Sequence, residues 1–152
     1  MSGHGAHDED HHHHHEEAHD HDGLQPTVFS LRTPLHFGAP LAPAQVRTAL
    51  AAFCRALVDG LAARGCRLIG HVKGVLEAGA SGTQFFNLTT FDAPPRFNGE
   101  LAAAVASYEL TINAIVFFVD RDAVEACVHD AIRDHLGGAC RRGVTGETER
   151  RQ

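Results

Sequence analysis

The run YELTINAIVFFV (Tyr108–Val119) decides what kind of fold this chain adopts. Its first half alternates polar and apolar residues, and from Ala114 onward it is apolar on both faces, the pattern of a central strand. Such a strand needs a neighbour on each edge and a layer over at least one face. The remaining segments must supply both.

TVFSLRTPLHF (Thr27–Phe37) alternates with period two, Phe29 and Leu31 against Ser30 and Arg32, and reads as a strand. Pro34 cannot donate to a ladder, which places this strand at an edge or ends its pairing early. Breakers follow in GAPLAPAQ, with Pro43 suited to a first helical turn. From Ala44 to Arg64, Val46, Leu50, Phe53, Leu57 and Leu61 form one apolar helical stripe, and Gly65 suits its end. CRLIGHVKGVLEA (Cys66–Ala78) reads as a second strand, in which Gly70 and Gly74 mark a bulge or a close backbone approach. GASG turns into TQFFNLTTF, a third strand and hairpin partner. DAPPRFNGELAAAVAS, residues 92–107, is compatible with a loop, a short strand or one helical turn. After the central strand, Asp122 and Glu125 fit a D-x-x-E capping box. Val124, Cys127, Val128, Ala131 and Leu136 make a second helical stripe, closed by Gly137 and Gly138.

The order is β-α-β-β-β-α, and two one-sided helices need one sheet face to cover. The fold expected is α+β, a two-layer sandwich of about four strands with both helices on one face. A helix between the first two strands implies a right-handed crossover and parallel pairing of those two.

The ends are of another kind. Residues 1–23 carry seven acids, no Lys or Arg, and no aliphatic residue larger than Ala after the initiator Met, so disorder is expected there. The folded domain is expected over 24–138, followed by a polar tail, 139–152. The formal net charge of -6 belongs to the arm: of 19 acids, 12 remain for the body against all 13 bases. A nearly neutral body gives no reason to bind nucleic acid or an anionic membrane. Cys54, Cys66, Cys127 and Cys140 form no C-x-x-C pair or disulfide framework and read as buried or idle thiols. With neither a signal-like segment nor a membrane-length apolar run, a cytoplasmic protein is expected.

RLIGHVKGVLEA and INAIVFFVDRDAVEACVHDAI, preceded by RTPLHFGAPLAPAQVRTAL, resemble the C-terminal domain of the CobW-type GTP-dependent metallochaperones. In that family a strand with a KG-like core follows the first helix, and a late strand ends in a polar turn feeding the final helix. HVKG (His71–Gly74) falls on the first motif and FFVDRDAVEACV on the second. The resemblance spans about Thr27 to Leu136. It implies a metal-handling role, since members often carry a His-rich segment before this module. It does not bring GTP hydrolysis, because the chain has no G-x-x-x-x-G-K-[ST] loop to wrap phosphates and lacks the Cys-rich motif of the GTPase domain. No nucleotide is therefore expected.

Nine of the 13 histidines lie in the arm: His4, His7, His11, His12, His13, His14, His15, His19 and His21. Imidazole, with an unperturbed pKa of about 6.5, is mostly a free ligand at neutral pH and suits Zn, Ni or Co. On a flexible acidic thread it makes several weak, exchangeable sites. A purification tag would be an uninterrupted run, and a solubilising tail would not need histidine. In the body, His71 and Lys73 share a strand face, and Asn113 is the one odd polar residue of the central strand. These three are the candidate partner or ligand surface, although an exposed polar face and a structural hydrogen bond explain them as well. His129 and His135 read as surface helix residues and His36 as a loop residue. No catalytic constellation assembles around Ser30, Ser81 or Ser107, and no H-E-x-x-H or paired carboxylates occur.

The function expected is a non-catalytic metal-handling or accessory module. Its arm would bind exchangeable metal and its domain would dock a GTPase or metalloenzyme client. Two alternatives stand beside it: a small enzyme or small-molecule binder using the sheet face at His71 and Lys73, and an oligomeric structural module.

Overall fold

A computed structural model describes residues 24–137; the arm and the tail lie outside the described residues. The chain runs β1 (Pro26–Leu41), α1 (Pro43–Ala63), β2 (Leu68–Glu77), a 3-10 turn (Gly79–Ser81), β3 (Gly82–Leu88), β4 (Arg96–Leu101), β5 (Val105–Phe117) and α2 (Arg121–His135). The fold is α+β. Five strands form one antiparallel sheet in the order β1-β5-β2-β3-β4, and the helices pack on each other over one of its faces.

β5 is interior, as its composition requires. Leu110, Ile112, Ala114 and Val116 point into the core, with Ile112 and Val116 wholly buried. Its position corrects one expectation. β1 and β2 do run in the same direction, joined by α1, but they do not pair; β5 lies between them, antiparallel to both. Inserting an antiparallel strand lets every ladder be antiparallel, with its perpendicular and slightly stronger hydrogen bonds.

β1 is an edge strand, consistent with Pro34, but it does not stop there. Pro34 still pairs with Glu109, and the strand continues past an irregularity between His36 and Leu41. His36 is therefore a strand residue and not a loop residue; its Nδ1 lies 2.8 Å from Ser107 Oγ. The ambiguous segment supplies a fifth strand, β4, paired with β3 from Arg96 to Leu101.

The α1 stripe is fully buried, with Pro43 in the first turn and the Gln45 side chain accepting from the Ala42 N–H at 2.9 Å. The helix ends at Gly65, φ 95°, a left-handed conformation that glycine adopts without a Cβ penalty. Helix α2 is capped two residues earlier than the D-x-x-E pattern implies. Asp120 is the N-cap, accepting from the Ala123 N–H at 2.8 Å, and Asp122 falls inside the first turn. The reason lies upstream: the chain leaves β5 through Phe118, at φ 64°, which swings Asp120 under the first free amides. His129 also differs from its surface reading. It sits three residues before Ile132 at the border of the buried stripe, and only 17% of its side chain is exposed.

Gly74 shows why the K-G pair takes this form. Lys73 faces outward, whereas Gly74 faces the core opposite Phe86, and a Cβ there would lie 2.1 Å from the Phe86 ring. That ring in turn meets Phe53 of α1 edge-on, centroids 5.8 Å apart. Replacing Gly74→Ala therefore overpacks the sheet–helix layer and should lower unfolding free energy by about 1–3 kcal/mol in urea titration. Adding Phe86→Leu should recover part of the loss.

Candidate functional site

Alternation turns every second strand residue to the sheet face opposite the helices. Among the described residues that face carries no helix, since the helices lie together on the other side. His71, Lys73 and Asn113 all stand on it. The bulge between Ile69 and His71 falls at Gly70, and beyond it Val72 points to the core while His71 and Lys73 point out.

Lys73 pairs directly with Asn113, but His71 pairs with Ile115, one rung nearer the start of β1. Lys73 and Asn113 border a shallow depression with Val75, Phe85 and Thr111, to which His71 does not contribute. Asn113 accepts a hydrogen bond from Ser30 Oγ at 2.7 Å, so the odd polar residue of β5 has a structural partner on β1. The three residues thus share one open face and do not converge in a cleft.

Cross-strand register extends the polar character over the whole sheet. One rung reads Ser30, Asn113, Lys73, Asn87 and Arg96 across the five strands. The next holds Arg32, Thr111, Val75, Phe85 and Asn98. The one after holds Pro34, Glu109, Glu77, Thr83 and Glu100. Arg32 forms an ion pair with Glu109, and its guanidinium pKa is raised first by that hydrogen bond and then by the charges of Glu109 and Glu77. Phe85, 47% exposed, and Val28, 52% exposed, are large apolar side chains standing on this face. Sequence reasoning missed Ser30, Phe85, Arg96 and the three glutamates as members of one surface. Alternation within each strand was visible, but nothing in a single strand tells which rung it shares with the others.

A deeper concavity lies on the helix side, enclosing about 340 Å³ between α1 and the segment after β3. Cys54, Arg55, Val58, Leu88, Phe91 and Asp92 line it. Its thiol is no nucleophile at neutral pH, because burial pushes the Cys54 pKa up to about 12. Cys66 and Cys127 are buried and unpaired as well, matching the reading of idle thiols; Cys140 lies outside the described residues. The nine arm histidines also lie outside them. Among the described residues, no three His, Cys, Asp or Glu side chains gather closely enough to hold a metal ion, and no helix is long and apolar enough to cross a membrane. No protein-family model, curated protein or solved structure matches the chain.

Two buried acids give the domain a pH signature. Burial raises the pKa of Cys54 from its ordinary 9 and that of Tyr108 above its ordinary 10, so both stay neutral in the fold. The contribution of Cys54 is complete below pH 9 and that of Tyr108 below pH 10; each is lost above, because the unfolded thiol and phenol ionise before the folded ones do. Stability should fall from pH 9 upward through Cys54 and from pH 10 upward through Tyr108, each on the order of 1 kcal/mol per pH unit. Cys54→Ala should flatten the first part of that slope in denaturant titrations.

Proposed function

We propose that this protein is a metal-handling accessory module, in which an acidic, histidine-rich arm captures transition-metal ions and the folded domain presents that arm to a docked protein. The observation that carries the reading is the arm's composition: nine histidines and seven acids before Gly23, with no Lys or Arg. Carboxylates concentrate cations near the arm, and neutral imidazoles exchange them on the affinity order of the metals with little geometric selectivity. Zinc, nickel and cobalt are the fitting class. The resemblance of HVKG and FFVDRDAVEACV to the CobW C-terminal domain supports the same role, with a GTPase or a metalloenzyme client as the recipient.

The root of the arm supports it too. The chain enters the sheet at Pro26, on the rung of Phe117 and Leu68, and the following rung is Val28, Ile115 and His71. A segment of 23 residues spans at most about 80 Å when extended, ample to bring an arm imidazole beside His71 or over the rest of the open face.

Isothermal titration of zinc or nickel into the full chain should show several ions bound per chain at micromolar affinity. Removing residues 1–22 should abolish nearly all of that uptake and leave the circular dichroism of the domain unchanged. Unaltered stoichiometry after the deletion would sink the assignment to the arm.

A further inference from the structure

The charges of the open face are arranged as if for their own image. β2 is the middle strand of five, and along it Lys73, Val75 and Glu77 point outward in succession. β4 repeats the order with Arg96, Asn98 and Glu100. Base, neutral centre and acid thus occupy three successive rungs, with Val75 and Phe85 on the middle one.

We propose that the occupant of this face is a second copy of the chain, packed sheet to sheet about a two-fold axis lying along the Val75–Phe85 rung. This pairing goes beyond the metal-handling reading and does not rest on it; a client would then meet the paired domains outside this face. Rotation about such an axis reverses the strand direction and keeps each strand over its own counterpart. Lys73 then meets Glu77 of the second copy, and Arg96 meets Glu100 of the second copy, each contact occurring twice. Val75, Phe85 and Thr111 meet their own images at the centre, giving an apolar middle inside a charged rim. The other two-fold orientation, about an axis along the strands, sets Lys73 against Lys73 and Glu77 against Glu77, because β2 is central. Charge selects the first arrangement.

Geometry and size agree. Facing sheets pack about 10 Å apart at roughly −30°, a spread that long Lys, Arg and Glu side chains absorb. Three rungs cross all five strands, and with the shorter Val28 and His36 rungs beyond them the face covers roughly 650 Å², near the ~800 Å² per partner of a stable interface. Arg32 is the one base on the middle rung, and it leans onto Glu109 of its own chain, away from its image.

The test is sedimentation velocity of the full chain in EDTA, which removes any metal bridging between arms, over a range of concentrations and at low and high salt. The expected result is a concentration-dependent dimer that weakens with salt. Lys73→Glu should weaken dimerisation roughly tenfold or more by setting Glu against Glu77, and K73E/E77K should restore it, since the exchanged pair is again self-complementary. R96E and R96E/E100R should behave in the same way and serve independently should either β2 variant lose its native circular dichroism. A chain monomeric at every concentration overturns the proposal. So does a dimer indifferent to K73E and R96E, or one not restored by the double exchanges. Zinc uptake by the arm is read in a separate titration, so failure of one reading is distinguishable from failure of the other.

Discussion

The pairing of β5 along both of its edges is the constraint on which the rest of the structure depends. With β1 on one side and β2 on the other, β5 satisfies its backbone polar groups within the sheet and can bury a continuous apolar row, Leu110, Ile112, Ala114 and Val116. Burial of that row needs a cover, and α1 and α2 provide it from one side. The same arithmetic leaves the other face of β5 bare. Glu109, Thr111 and Asn113 occupy its earlier part, and Ile115 and Phe117, which could have been buried, stand half-exposed near the root of the arm.

The two helices are fixed to this strand and to each other by few but specific contacts. Tyr108 donates its hydroxyl to the Leu136 carbonyl at 3.1 Å, closing the C-terminal end of α2, where carbonyls lack helical partners. Thr27 reaches the Val119 carbonyl at 2.5 Å, fixing the turn into that helix at its other end. Between the helices, Gly60 lets α1 approach Cys127, and Arg64 donates to the Cys127 sulfur at 2.9 Å while lying 3.6 Å from Asp130. These ties hold the cover in register with the sheet, so both faces of the sandwich are set by one strand.

How much of this was legible follows from what a periodic pattern encodes. The stripe Val46, Leu50, Phe53, Leu57 and Leu61 repeats at helical spacing, and its whole length is buried. Period two put His71 and Lys73 on one face, and both glycines of β2 kept their promise, Gly70 at the bulge and Gly74 under Phe86. Periodicity says which way a side chain points, not which strand lies beside it. Hence β5 between β1 and β2 was invisible, and so were the rungs that bring Ser30, Lys73 and Arg96 into line. β4 is one of three readings its segment allows, because Gly99, at φ 80°, and the prolines before it break the pattern of a six-residue edge strand. Asp120 was passed over for Asp122 because the left-handed turn at Phe118 has no sequence signature in a non-glycine residue.

Function divides along the same boundary. In the function we propose, the arm's chemistry is compositional and owes nothing to the fold, whereas the proposed pairing of two copies rests on the face that β5 and β2 leave uncovered. The second depends on β5 being the keystone of a one-sided sheet. Native-state amide hydrogen exchange, resolved by residue, tests that most directly. If the account is right, the amides of Leu110 to Val116 exchange only through global unfolding, well after those of the edge strand β4. Exchange of β5 at the rate of β4 would contradict it.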